Sequence, residues 1–234
     1  MSDPYYKDDL VTLFHGDCLE VAEWLDADVL VTDPPYGMGY TDRSGSTVAS
    51  DCSTAARDSA LTAWGTKPWV MFGTWKIERP ISTSQVIIWD KWGGGGTVTY
   101  GWSPWDFSHE EIYVGGNWPK RPSGGRAREG GNPSISSGVL RTPKYNPASR
   151  PAHPTPKPVS LMESVLKKVP SGVIADPFAG SGATLLAALN LGRPSIGVEL
   201  EERYCELIAK RLSQQAFDFG NLEDEVRASG WANV

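Results

Sequence analysis

Little in this sequence invites a disulfide, a metal or a membrane. Its 234 residues include three cysteines, Cys18, Cys52 and Cys205, far apart and with no CxxC pair. That argues against a zinc site and a disulfide scaffold, and fits a reducing cytosol. No apolar run approaches the roughly 18 residues a membrane span needs. Met1 to Asp9 is polar and acidic, which does not suit a signal peptide. Overall positive charge is lacking as well: the chain stands at −6. Neither G-x-G-x-x-G nor Gly-Lys-Ser/Thr is present, which disfavours NAD and ATP.

What the chain has is a series of short apolar runs, most of them followed by helical spacing, in a length that suits one α/β domain. Strands are expected at 11–14, 28–32, 69–72, 85–89, 110–114, 172–175 and 195–198. Helices are expected at 18–25, 53–64 (with Ser53 as its cap), 158–169, 182–191 and 201–215. Strands alternating with helices indicate a mostly parallel, twisted, doubly wound sheet with helices on both faces. Ten tryptophans, several in the glycine-rich middle, read as packing residues.

The stretch that organises the rest is Asp33-Pro34-Pro35-Tyr36. Two prolines have no N–H and fix φ, so they end the strand before them and stiffen the chain there. One carboxylate, one backbone carbonyl and one ring are thereby held in fixed relation. Four acids close strands in this way: Asp17, Asp33, Asp176 and Glu199. In doubly wound sheets ligands bind outside the carboxyl ends of the strands, so the four are expected along one edge.

A second anchor runs from Asp176 through Pro177, Phe178, Ala179, Gly180, Ser181 and Gly182 to Thr184. Its glycines permit close backbone approach to a ligand, and a helix N-terminus follows. Glu199 comes about 20 residues later, the spacing at which a carboxylate meets ribose hydroxyls. A nucleoside-containing cofactor is implied.

Between them, Asn117 to Pro151 has no periodicity. It holds Lys120, Arg121, Arg126, Arg128, Arg141, Lys144 and Arg150 against Glu129 alone. A basic strip on an acidic protein is the footprint of a phosphate-rich partner. The alternative is that these arginines pair with acids of the protein's own surface. The strip and the Gly37–Asp51 loop are expected to be poorly ordered without DNA.

Phe178-Ala-Gly-Ser-Gly182 resembles the F-x-G-x-G loop of S-adenosylmethionine-dependent amino-methyltransferases of DNA. Asp33-Pro-Pro-Tyr36 resembles their (D/N/S)-P-P-(Y/F) catalytic motif, and His153-Pro-Thr-Pro-Lys-Pro158 their H-P-T-x-K-P segment. The order, catalytic motif first and cofactor loop last, is that of the β class, here of small bacterial or phage type. The resemblance covers most of residues 10–215. It implies a single-domain, circularly permuted Rossmann-like methyltransferase, with a catalytic half at 10–116, a recognition insertion at 117–151 and a cofactor half at 152–215. It implies S-adenosylmethionine as cofactor, double-stranded DNA as partner, no metal, and a bacterial or phage-infected cytoplasm. Restriction–modification is the expected setting; monomer and homodimer both stay open.

By the same resemblance, Asp33, Pro34, Pro35 and Tyr36 are catalytic. Asp176, Phe178, Gly180, Ser181, Gly182 and Thr184 line the cofactor, Glu199 holds its ribose, and Asp17 meets its adenine. Thr155 and Lys157 close the pocket. Arg121, Arg126, Arg128, Arg141 and Lys144 face DNA. An exocyclic amine is a poor nucleophile, its lone pair delocalised into the ring; hydrogen bonds to Asp33 and the Pro34 carbonyl turn that lone pair toward the methyl group. Tyr36 stacks on a flipped-out base. The Asp at the head of the motif favours adenine N6. Cytosine N4 is the first alternative, and a non-catalytic nucleic-acid-binding subunit the second. The insertion of about 35 residues implies a short recognition site.

Overall fold

The computed structural model describes residues 2–40, 51–91, 109–119, 138–142 and 155–214. Among these residues nine strands form one sheet: β1 (Tyr6–Lys7), β2 (Val11–His15), β3 (Val29–Thr32), β4 (Trp69–Gly73), β5 (Thr83–Asp90), β6 (His109–Gly115), β7 (Val139–Arg141), β8 (Ile174–Asp176) and β9 (Ser195–Glu199). Their order across the sheet is β1-β2-β9-β8-β3-β4-β6-β5-β7. The five strands from β2 to β4 run parallel, while β6 lies antiparallel to both neighbours. The helices are α1 (Ala55–Trp64), α2 (Val159–Leu166), α3 (Ala183–Asn190) and α4 (202–214).

The centre of the sheet follows from composition. All four residues of β3, Val-Leu-Val-Thr, are buried, as a parallel strand covered on both faces requires. Alternation then sorts them. Val29 and Val31 join Leu161, Met162, Val165 and Ala187 of α2 and α3 on one face. Leu30 joins Trp24, Ala60 and Trp64 on the other. At the β2 edge, Val11 and Leu13 pack against Leu185 of α3 and Cys205, Ile208 and Leu212 of α4. The α/β fold with helices on both faces is therefore as expected.

Three local expectations are corrected. The helix expected at 18–25 is a turn at Asp17 followed by a short 3-10 helix, Glu23–Asp26. Trp24 is pulled into the core, stacking on Trp64 at 5.8 Å. Its indole N–H donates to the Cys18 carbonyl at 2.8 Å, the acceptor an α-helix would have used. The stretch read as aperiodic contributes β7, which pairs with β5 over Ile88–Asp90. The edge strand β1 was also not foreseen; Tyr5 N–H and the β1–β2 ladder bind it. Elsewhere the elements begin or end within a few residues of their expected bounds, as at α1, which begins at Ala55 rather than Ser53.

Candidate active site

β3 and β8 are neighbours, with Val29 opposite Ile174 and Leu30 opposite Ala175. Residues about 140 apart in sequence thus deliver Asp33 and Asp176 to the same edge. The Thr32 hydroxyl ties them, donating to Asp176 Oδ1 at 2.6 Å. A cavity of about 290 Å³ opens there. Asp17, Asp33, Asp176 and Glu199 all line it, as do Pro34, Pro35 and Tyr36. Thr155, Lys157, Phe178, Gly180, Ser181 and Thr184 line it too.

Gly182 is different. It caps α3 with φ 78°, and a Cβ there would come within 2.9 Å of Ile208. It closes the loop onto α4 instead of facing the cavity. A side chain there is strained twice, by the left-handed backbone and by Ile208. Gly180 (φ 52°) does reach the cavity, and its N–H donates to Glu199 Oε2 at 2.7 Å.

Asp176 is 2 % exposed. Burial pushes its carboxyl up to about 6, against the Thr184 and Thr32 hydroxyls and the Phe178 N–H, which favour the ionised form. Glu199 is pushed up to about 7, again chiefly by burial, against the N–H groups of Glu201 and Gly180. Asp17 Oδ1 accepts from Leu19 N–H at 2.9 Å, leaving Oδ2 for the cavity.

The Asp33 end of the cavity is a buried charge cluster. Lys157 Nζ donates to Asp33 Oδ2 at 2.5 Å and to the Tyr36 hydroxyl at 3.3 Å, and lies 3.3 Å from Glu110 Oε2. Tyr36 donates to Asp33 Oδ1 at 2.8 Å. The Lys157 side chain is 7 % exposed, so it is no solvated lysine. Its partners are Asp33 and Tyr36 of the Asp-Pro-Pro-Tyr turn and Glu110 of β6; none is on the 176–184 loop. Two carboxylates raise its pKa despite burial. Asp33 is also raised, burial outweighing the attraction of Lys157.

Sequence reasoning missed Glu110, which completes this cluster, and Asp51. Asp51 accepts from the N–H groups of Gly37 (2.6 Å) and Tyr40 (2.7 Å). The two ends of the 37–51 loop are thereby knotted together; 41–50 lie outside the described residues. Arg141 pairs with Asp90 at 3.2 Å and is 70 % exposed, which matches the own-surface alternative at that one residue. Arg121, Arg126, Arg128 and Lys144 lie outside the described residues.

A family model described as DNA methylase, of the N6/N4 type, matches residues 76–211. The chain belongs to that family. Among curated relatives, the type II methyltransferase M.ScaI of Streptomyces caespitosus is 28 % identical over 92 % of this chain and 86 % of its own. Among solved structures, the complex of M1.HpyAVI with SAM covers 86 % of this chain and all of that one, at TM-score 0.55 and 22 % identity. PvuII DNA methyltransferase, cytosine-N4-specific, covers 88 % and 87 % at TM-score 0.60 and 15 % identity. These two share the fold, a mostly parallel methyltransferase sheet. The chain is a DNA methyltransferase of the N6/N4 family. Among the described residues no helix is long and apolar enough to cross a membrane, and no cluster of His, Cys, Asp or Glu could hold a metal ion.

Proposed function

We propose that this enzyme methylates N6 of adenine in double-stranded DNA, on a base swung out of the helix into the Asp33 end of the cavity. The observation that carries this is the Thr32–Asp176 bond, which fixes the catalytic turn and the cofactor loop side by side in one cavity. The methyl donor is S-adenosylmethionine, which supplies a methyl group on a positively charged sulfur. The lining suits it. Seven acids and one lysine face the cavity, and the lysine is held by Asp33, Tyr36 and Glu110. Such a wall favours a cationic ligand and disfavours a polyphosphate. Asp176 would face the sulfonium end, Glu199 the ribose and Asp17 the adenine.

Asp33 and the Pro34 carbonyl each accept one N–H of the target amine. The amine lone pair is thereby freed from the ring and aimed at the methyl carbon. As the N–C bond forms, the C–S bond breaks and its electrons stay on sulfur. The methylated nitrogen carries the positive charge and then loses a proton, toward Asp33. A carboxylate at this position, the feature that favours adenine, stabilises that growing charge. Hydrolysing DNA methylated by the enzyme to nucleosides and weighing the product tests the assignment. N6-methyladenine supports it; N4-methylcytosine overturns the base assignment while keeping the family.

The Glu199 carboxyl makes cofactor affinity depend on pH. Ribose hydroxyls donate to the ionised form, so binding favours loss of its proton. Affinity should therefore rise with pH up to about 7 and level off above it, changing by up to about tenfold per pH unit below. Glu199→Ala should remove its part of that slope, leaving only the rise below about 6 that Asp176 contributes, and weaken binding by about 1–3 kcal/mol. Calorimetric titration across pH reads both quantities. A wild-type affinity that stays flat across this range contradicts the placement of the ribose.

The basic strip is assigned to DNA phosphates beside the cavity mouth. Each phosphate neutralised contributes about −0.9 to the slope of log affinity against log salt. Replacing Arg121, Arg126 and Arg128 together should flatten that slope by about 2–3 units and leave cofactor affinity unchanged. Binding to a fluorescent duplex across a salt series reads it, and an unchanged slope removes the strip from the interface.

A further inference from the structure

Glu110 stands at the start of β6, next to Glu111, yet the two have different work. Glu111 faces Arg79 and Tyr113. Glu110 faces the cavity, with Oε2 3.3 Å from Lys157 Nζ and Oε1 accepting from Lys91. Lys91 follows β5 at the outer end of this row. Four side chains, Asp33, Lys157, Glu110 and Lys91, thus alternate in sign from the reacting carboxylate outward. We propose that Glu110 is a positioning residue for methyl transfer: it shares the Lys157 ammonium with Asp33 and so sets how much of the Asp33 carboxylate is free to accept the target amine. This rests on the methyltransferase reading above.

The count of donors and acceptors makes the case. A carboxylate offers about four lone-pair sites. Tyr36 takes one on Oδ1 of Asp33 and Lys157 one on Oδ2, so sites remain for an amine. An ammonium has three donors; here Lys157 donates to Asp33 and Tyr36 and forms an ion pair with Glu110 at 3.3 Å. Without Glu110, the third donor and the full charge of Lys157 fall on Asp33 and compete with the amine. With Glu110, held in turn by Lys91, the charge is divided. Burial alone would push the Glu110 carboxyl up, but Lys157 and Lys91 outweigh it and bring it below the ordinary range, so it stays ionised where this role needs it. The groups facing Asp33 are Lys157 from the segment before α2, Glu110 from β6, Tyr36 from its own turn and Asp176 from β8.

The test is Glu110→Gln, which keeps the shape and removes the charge. Methyl transfer is measured from tritiated S-adenosylmethionine, at saturation, to amplified and therefore unmethylated bacterial genomic DNA, across pH. The plateau of kcat should fall about tenfold, and cofactor Kd should stay at the parental value. The acid limb of the kcat profile should move to lower pH, since a like charge beside Asp33 has gone. Lys91→Met, away from Asp33, serves as the second variant and covers the case in which Glu110→Gln does not fold. Freed of Lys91, Glu110 draws Lys157 toward itself, and the acid limb should move to higher pH. Opposite displacements support the proposal. Parental kcat and acid limbs, or a fall in kcat matched by an equal loss of cofactor affinity, overturn it. A parental enzyme that transfers no methyl to such DNA fails the reading beneath it instead.

Discussion

Asp33→Ala should abolish methyl transfer while S-adenosylmethionine still binds with near-parental affinity. The two effects separate because the site is built on two strands. Asp33 follows β3, and the cofactor loop follows β8. Their link is the Thr32 hydroxyl, which does not pass through the Asp33 side chain. Losing one hydrogen bond that strengthens in the transition state costs on the order of 10²–10³ in rate, and here a charge goes too. Alanine also leaves Tyr36 without the acceptor at 2.8 Å that orients its ring. Asp33→Asn is the gentler variant: it keeps the volume and one acceptor oxygen, and should retain more activity than alanine. Single-turnover transfer, with calorimetry for the cofactor, reads both quantities. Near-parental turnover in the alanine variant sinks the assignment of Asp33. Loss of cofactor binding in proportion to rate would instead make the turn a structural support.

The pieces of this site differed in how plainly the chain announced them. Asp33, Asp176 and Glu199 were legible because each ends an apolar run, and a parallel sheet brings all such ends to one edge. Their motifs supplied the roles. Glu110 was hidden by the same logic. It begins its strand, and β6 runs antiparallel to β4, so that its first residues arrive where the parallel strands finish. Nothing in residues 109–115 signals that reversal. Gly73 opposite Glu111 in the ladder shows how directly it sets the site. Lys157 lines the cavity, as its motif implies, and also reaches Asp33 and Tyr36. Its position before α2 suggests the cofactor half, whereas a lysine stem spans the distance to β3 and β6. The helix expected at 18–25 failed for a different reason. Leu19, Val21, Ala22 and Leu25 have helical spacing, but one tryptophan gained more from burial against Trp64 than the turn gained from hydrogen bonds. Burial of a large ring outweighs the weak intrinsic helix preference of a short segment.

Lys157→Met should destabilise the folded enzyme by about 3–5 kcal/mol at neutral pH, the range seen when one partner of a buried ion pair is removed. Methionine matches the lysine stem, so the packing against Phe72, whose ring lies 5.3 Å from the ammonium, is largely kept. The cost comes from two buried carboxylates left without their shared cation. Its pH dependence identifies it. Burial already holds the Asp33 carboxyl above its ordinary value, and losing the Lys157 charge raises it further. A carboxyl whose folded pKa exceeds its unfolded one stabilises the fold when protonated, and that contribution disappears as pH rises through the folded pKa. The deficit of the variant should therefore be small in mild acid and grow toward alkaline pH. In the parent the same sign holds for Lys157: its pKa is raised, so its contribution persists through the neutral range and is lost only as pH climbs past that raised value. Urea unfolding at about pH 5.5 and about pH 8.5 measures the contrast. Asp33→Asn combined with Lys157→Met removes the uncompensated charge along with its partner, and should recover more than half of the lost stability while remaining inactive. A deficit of equal size at both pH values, or no recovery in the double variant, would place the cost of Lys157→Met in packing instead of charge.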